Sequence, residues 1–167
     1  DLVIGLASDS SAKGAAYVVY GTAGGYADFD ISSISGKGFK VSGITNGGNL
    51  GETLAMNGDF NGDGYDDLVM GAPGLTQGVV YVLYGKSGGH SSLSVSGLTG
   101  DVGFKYTGQT SGDQVGKSLA YSRDFNGDGL SDLLIGAPGK DAGGAESGAV
   151  YILYGKVQKQ SDTTLST

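Results

Sequence analysis

Ten residues with the same oxygen-bearing side chains occur twice, as DFNGDGYDDL at 59–68 and DFNGDGLSDL at 124–133. Asp59, Asn61, Asp63 and Asp67 hold positions 1, 3, 5 and 9 of the first copy, and Asp124, Asn126, Asp128 and Asp132 those of the second. Oxygen side chains on alternate residues turn inward together when the backbone curls around a point. A glycine at position 6, Gly64 or Gly129, permits the sharp turn that aims the position-7 carbonyl, of Tyr65 or Leu130, at the same point. All these donors are hard oxygens, so the predicted guest is Ca²⁺ rather than zinc or copper. A metal-free Asp-Gly turn is the plainer reading. Two copies at one spacing argue against it, because carboxylates packed this closely repel one another without a cation. The loop is not an EF-hand, which needs Glu at position 12, where Met70 and Ile135 stand, and helical flanks.

The segments around the loops read as strands. The chain has 34 Gly, 2 Pro, no Cys and no Trp in 167 residues, with Val, Ile, Leu and Tyr runs between the glycines and no 3.6-residue apolar period. That composition predicts an all-β fold of short strands and tight turns. Phrases recur about every 65 residues: DLVIGLA from Asp1, DLVMGAP from Asp67 and DLLIGAP from Asp132. AYVVYG, VYVLYG and VYILYG follow them, ending at Gly21, Gly85 and Gly155. GFKVSG and GFKYTG form a third pair, and LGETLAMNGDF and VGKSLAYSRDF a fourth. Residues 39–73 and 104–138 align without a gap and agree at 19 of 35 positions, which establishes an internal repeat. Each unit holds four strand phrases, with the acidic loop joining the first to the second. The predicted division is a partial repeat at 1–49, a full one at 50–114 and a partial one at 115–167. Four antiparallel strands per unit is the logic of a β-propeller blade, and the chain should form about two and a half blades. It would then be a fragment, or part of an oligomeric ring, with open blade edges available for self-association.

Charge narrows the function. The net charge is −7, and eight of the seventeen acidic residues fall in the two loops or at Asp1, which matches Asp67 and Asp132. No basic stripe exists to displace counterions from phosphates, so nucleic acid is not an expected partner. No apolar run is long enough to span a membrane. Calcium loops of micromolar to millimolar affinity favour an extracellular setting, secreted or cell-surface.

Other residues offer little chemistry. His90, the lone histidine, sits in a Gly-Ser stretch without marked Ser or Asp partners and reads as an exposed loop residue. Glu52 and Glu146 lack a spacing that would make them glycosidase carboxylates. The pairs Gly47-Gly48, Gly88-Gly89 and Gly143-Gly144 suit turns better than phosphate cradles. Tyr17, Tyr20, Tyr81, Tyr84, Tyr151 and Tyr154 recur in register, which points to packing between blades.

The phrases resemble FG-GAP repeats, the units of the seven-bladed propeller of integrin α subunits and related bacterial secreted proteins. Gly71-Ala72-Pro73 and Gly136-Ala137-Pro138 supply one half of the signature, and Leu50-Gly51 and Val115-Gly116 stand where Phe-Gly is usual. The resemblance implies calcium loops on one face of the propeller. It implies a partner-binding face opposite, built here from residues 7–14, 46–49, 74–78, 111–114 and 139–147. The expected function is a non-enzymatic, calcium-stabilised module for cell adhesion or for recognition of a protein or glycan. The alternative is a non-catalytic accessory domain of a larger secreted hydrolase.

Overall fold

The computed structural model describes residues 1–8, 12–141, 147–157 and 160–166. The repeated phrases become strands: β1 (Leu2–Leu6), β2 (Ala15–Val19), β3 (Gly38–Ser42), β4 (Thr53–Gly58), β5 (Asp67–Ala72) and β6 (Val79–Leu83). Then come β7 (Leu93–Ser94), β8 (Gly103–Thr107), β9 (Ser118–Ser122), β10 (Asp132–Ala137), β11 (Ala149–Leu153) and β12 (Thr163–Thr164). The central blade is an antiparallel meander in the order β8-β6-β5-β4, with Met70 facing Leu54 on one side and Tyr81 on the other. The first blade contains β1, β2 and β3, and the third β9, β10 and β11.

Strand alternation sends successive side chains to opposite faces, and both faces of the central blade are covered. Leu68, Met70, Ala72 and Tyr81 pack against Ala16, Val18, Phe39 and Val41 of the first blade. Val69, Val80, Val82 and Phe104 pack against Leu133, Ile135 and Ala137 of the third. Burial on both sides explains why these strands read as unbroken apolar runs instead of alternating ones.

The glycine of Gly-Ala-Pro has a steric reason. A Cβ on Gly71 would lie 2.5 Å from the Gly116 carbonyl oxygen of the next blade, and one on Gly5 would lie 2.0 Å from that of Gly51. Gly51 and Gly116 adopt φ of +84° and +87°, so the Leu-Gly and Val-Gly turns need glycine too. The blades are also stitched by short parallel pairings that the phrases do not announce. β7 pairs with β3, through Val41 opposite Leu93, and β12 pairs with β8, through Tyr106 opposite Thr163. In each case chain that follows one blade's third strand lies along the outer strand of the blade before it.

Candidate metal loops

Residues 59–67 link β4 to β5, and 124–132 link β9 to β10. Each loop curls because its own side chains take up its backbone N–H groups. Asp59 Oδ1 accepts from Gly62 N–H (2.7 Å) and Asp63 N–H (3.1 Å), while its Oδ2 accepts from Gly64 N–H (2.8 Å). Asn61 Oδ1 accepts from Asp63 N–H, and Asp63 Oδ1 from Tyr65 N–H. The second loop repeats the set with Asp124, Asn126 and Asp128 as acceptors and Gly127, Asp128, Gly129 and Leu130 as donors. Glycine is required at position 4 as well as position 6, since Gly62, Gly64, Gly127 and Gly129 all have φ between +74° and +87°. The calcium-loop pattern in the sequence marks only position 6.

Asn61 Nδ2 donates to Asp63 Oδ2 at 2.9 Å, and Asn126 Nδ2 to Asp128 Oδ2 at the same distance, so both side chains in each loop turn into a common space. Asp67 and Asp132 close the loops from below and are buried. Asp67 accepts from Phe60 N–H and Gly85 N–H, and Asp132 from Phe125 N–H and Gly155 N–H, at 2.7–2.9 Å. Burial pushes the Asp67 carboxyl up to about 7; the two N–H donors oppose that rise, and the charges of Asp63 and Asp59 add to it. Backbone donors, Gly129 N–H foremost, hold the exposed Asp124 carboxyl below its ordinary value. Among the described residues no group of three His, Cys, Asp or Glu is gathered as a metal cage. The donor types nevertheless suit a hard cation: each loop sets an Asn against an Asp and carries one further Asp and one buried Asp, and a carboxylate oxygen that accepts one N–H keeps a lone pair.

Tyr121 on β9 went unnoticed in sequence. Its hydroxyl is buried with no hydrogen-bond partner in the structure. Burial, reinforced by the charges of Asp67, Asp66 and Asp59, holds the phenol well above its usual range. His90 is a correction. It is half-buried, because its Nε2 bonds the Tyr84 carbonyl (2.7 Å), its N–H donates to the Tyr20 hydroxyl, and its ring lies 5.5 Å from Phe39. It ties the central blade to the first. Glu52 pairs with Lys117 of the third blade. Glu146 and Gly143-Gly144 lie outside the described residues.

At the opposite end of the strands the connections join by backbone bonds. Asn49 N–H donates to the Ala12 carbonyl, Gly112 N–H to that of Thr76, and Gly139 N–H to that of Asp113. Parts of 7–14 and 139–147 lie outside the described residues. This end breaks the repeat: a buried Lys140–Asp113 pair (3.6 Å) stands where the equivalent residues are Leu75 and Gly48.

The FG-GAP repeat model matches residues 53–83 and 115–153. The chain is 34% identical over 99 residues to integrin alpha-PS5 of Drosophila melanogaster, an alignment covering 59% of this chain and 10% of that protein. It is 40% identical over 94 residues to mouse integrin alpha-M, covering 55% of this chain and 8% of that one. With human phosphatidylinositol-glycan-specific phospholipase D it shares 30% identity over 164 residues, covering 92% of this chain and 18% of that enzyme. The chain thus spans less than a fifth of the length of these relatives. The matched segments contain β4 to β6 and β9 to β11, both Gly-Ala-Pro turns and both acidic loops, and the chain therefore carries FG-GAP repeats folded as β-propeller blades.

Proposed function

We propose that this chain is a calcium-binding, non-catalytic propeller module that recognises a protein or glycan partner outside the cell. The observation that carries the reading is the shared curl of two loops, in which Asp59 and Asp124 accept the same set of backbone N–H groups and Asn61 and Asn126 bond Asp63 and Asp128, each loop closed by a buried Asp. Asp59, Asn61, Asp63, the Tyr65 carbonyl and Asp67 are the ligands of the first site; Asp124, Asn126, Asp128, the Leu130 carbonyl and Asp132 are those of the second. Bound calcium would supply positive charge to offset the crowded carboxylates, and binding to the folded loop alone adds stability by mass action. FG-GAP repeats are typically non-catalytic, which agrees with the structural roles of His90 and Glu52. Partner recognition is assigned to the end opposite the loops, where the repeat is broken by Lys140 and Asp113 and where connections differ in length.

A second reading, an accessory domain of a larger hydrolase, draws support from the long alignment with a phospholipase D. Both readings keep calcium in the same loops. Thermal melts with calcium and with chelator, on the native chain and on Asp63→Ala/Asp128→Ala, test them together. The midpoint should rise with calcium in the native chain only; identical curves for both proteins would remove calcium from the proposal.

A further inference from the structure

Four of the chain's five asparagines precede glycine: Asn46, Asn57, Asn61 and Asn126. An asparagine before glycine is where one backbone reaction is least hindered, because glycine has no Cβ to shield its nitrogen. That nitrogen can attack the asparagine side-chain carbon and expel ammonia. The dipeptide is the same in all four places, so the surroundings decide which of them reacts.

Three of them are held. Gly62 N–H donates to Asp59 Oδ1 (2.7 Å) and Gly127 N–H to Asp124 Oδ1 (2.6 Å), so each attacking nitrogen is engaged by a carboxylate. The side-chain amides of Asn61 and Asn126 are pinned at both ends, by the N–H and by the Oδ2 of Asp63 and of Asp128. Asn57 precedes Gly58, which is buried and pairs with Asp67 of β5. A Cβ on Gly58 would lie 2.4 Å from the Tyr121 ring. Asn46 is different. It and Gly47 are exposed, in a turn that the Gly48 N–H closes onto the Thr45 carbonyl (3.1 Å). Among the described residues neither the Asn46 side chain nor the Gly47 N–H has a hydrogen-bond partner, and a Cβ on Gly47 would meet nothing within 4 Å.

We infer that Asn46 is a site of spontaneous covalent modification, with water as the only co-reactant, and that the acidic loops protect Asn61 and Asn126 from the same reaction. The Gly47 nitrogen bonds to Asn46 Cγ while the Cγ–Nδ2 bond breaks, and the proton of the Gly47 N–H leaves with the amide nitrogen as ammonia. Water then opens the cyclic imide. Cleavage at Cγ leaves aspartate, and cleavage at the backbone carbonyl leaves isoaspartate, with the chain rerouted through the side chain. Either product places a new negative charge on the exposed turn between β3 and β4, at the end opposite the acidic loops. This inference does not depend on calcium.

The test ages the full chain in mildly alkaline buffer with chelator, folded and, in parallel, unfolded in guanidinium. Peptide mapping by mass spectrometry reads the gain of about 1 Da at each asparagine, and fragmentation specific for isoaspartate reads the product. In guanidinium the four sites should react at comparable rates. In the folded chain Asn46 should convert first, with Asn61 and Asn126 slower by about tenfold or more. That is the factor which about 1.4 kcal/mol sets on a rate, and freeing an N–H from a charged acceptor costs at least as much. Asn46 left intact in the folded chain would overturn the inference. Conversion of Asn57, Asn61 or Asn126 in the folded chain at the rate of Asn46 would overturn it too.

Discussion

The two acidic loops have nearly one sequence and one internal hydrogen-bond pattern, yet their phenylalanines meet opposite fates. Phe60 is 1% exposed and Phe125 is 62% exposed. The first loop rests on the third blade: Asp59 and Ser131 exchange hydrogen bonds, and Lys156 holds the Phe60 carbonyl. No described segment rests in the same way on the second. The contrast continues along the strands, for Val80 is fully buried while its counterpart Val150 is 69% exposed. The curl of a loop is thus a local property, encoded by Asp, Asn and Gly at fixed spacing. Its anchorage is not local. A blade becomes a core element only when both neighbours are present, as expected where units stack along one dimension.

Substituting the paired phenylalanines tests this most severely. Phe60→Ala should cost about 3–5 kcal/mol, the usual range for a buried aromatic, whereas Phe125→Ala should stay within about 0.5 kcal/mol. Urea titrations of the two variants measure both, and similar losses would break the comparison.

A smaller but still large effect should follow from pH. In metal-free protein the Asp67 carboxyl is raised to about 7, above the unfolded value, so between roughly pH 4 and 7 the fold holds a proton that the unfolded chain has lost. Its contribution is present at low pH and is lost as pH rises through that window, by on the order of a few kcal/mol in total. Urea midpoints in chelator should therefore decline from pH 4 to 7 in the native chain relative to Asp67→Asn. A cation in the loop favours the ionised carboxylate, so calcium should flatten the decline. Equal slopes in the native chain and the variant would show that Asp67 is not the source.

Glycine at the Gly-Ala-Pro turn gives the mildest contrast. Gly71→Ala drives its methyl into the Gly116 backbone and should cost about 1–3 kcal/mol. Gly136→Ala meets chiefly the Ser118 hydroxyl, a side chain that can rotate away, and should cost clearly less. Differential scanning calorimetry of the two variants would resolve the difference.

Much of this architecture is legible in the residues. The phrases from Asp67, Val80, Gly103 and Val115 became β5, β6, β8 and β9, because short apolar runs between glycines have few other ways to bury themselves. β7 and β12 were not legible. Leu93-Ser94 and Thr163-Thr164 are too short to show a period, and their parallel partners lie more than fifty residues away. His90 was misjudged for the same reason, since Tyr20, Phe39 and Tyr84 converge on it from distant parts of the chain.

By itself the sequence determined the repeat, the all-β class and the hydrogen-bonded curl of each acidic loop, all of which depend on residues within a few positions of one another. Only the tertiary structure decided that Phe60 is a core residue and Phe125 a surface one. It alone turned His90 into a clasp between blades. Those outcomes depend on which surface a neighbouring blade brings within van der Waals range, and spacing along the chain does not encode that.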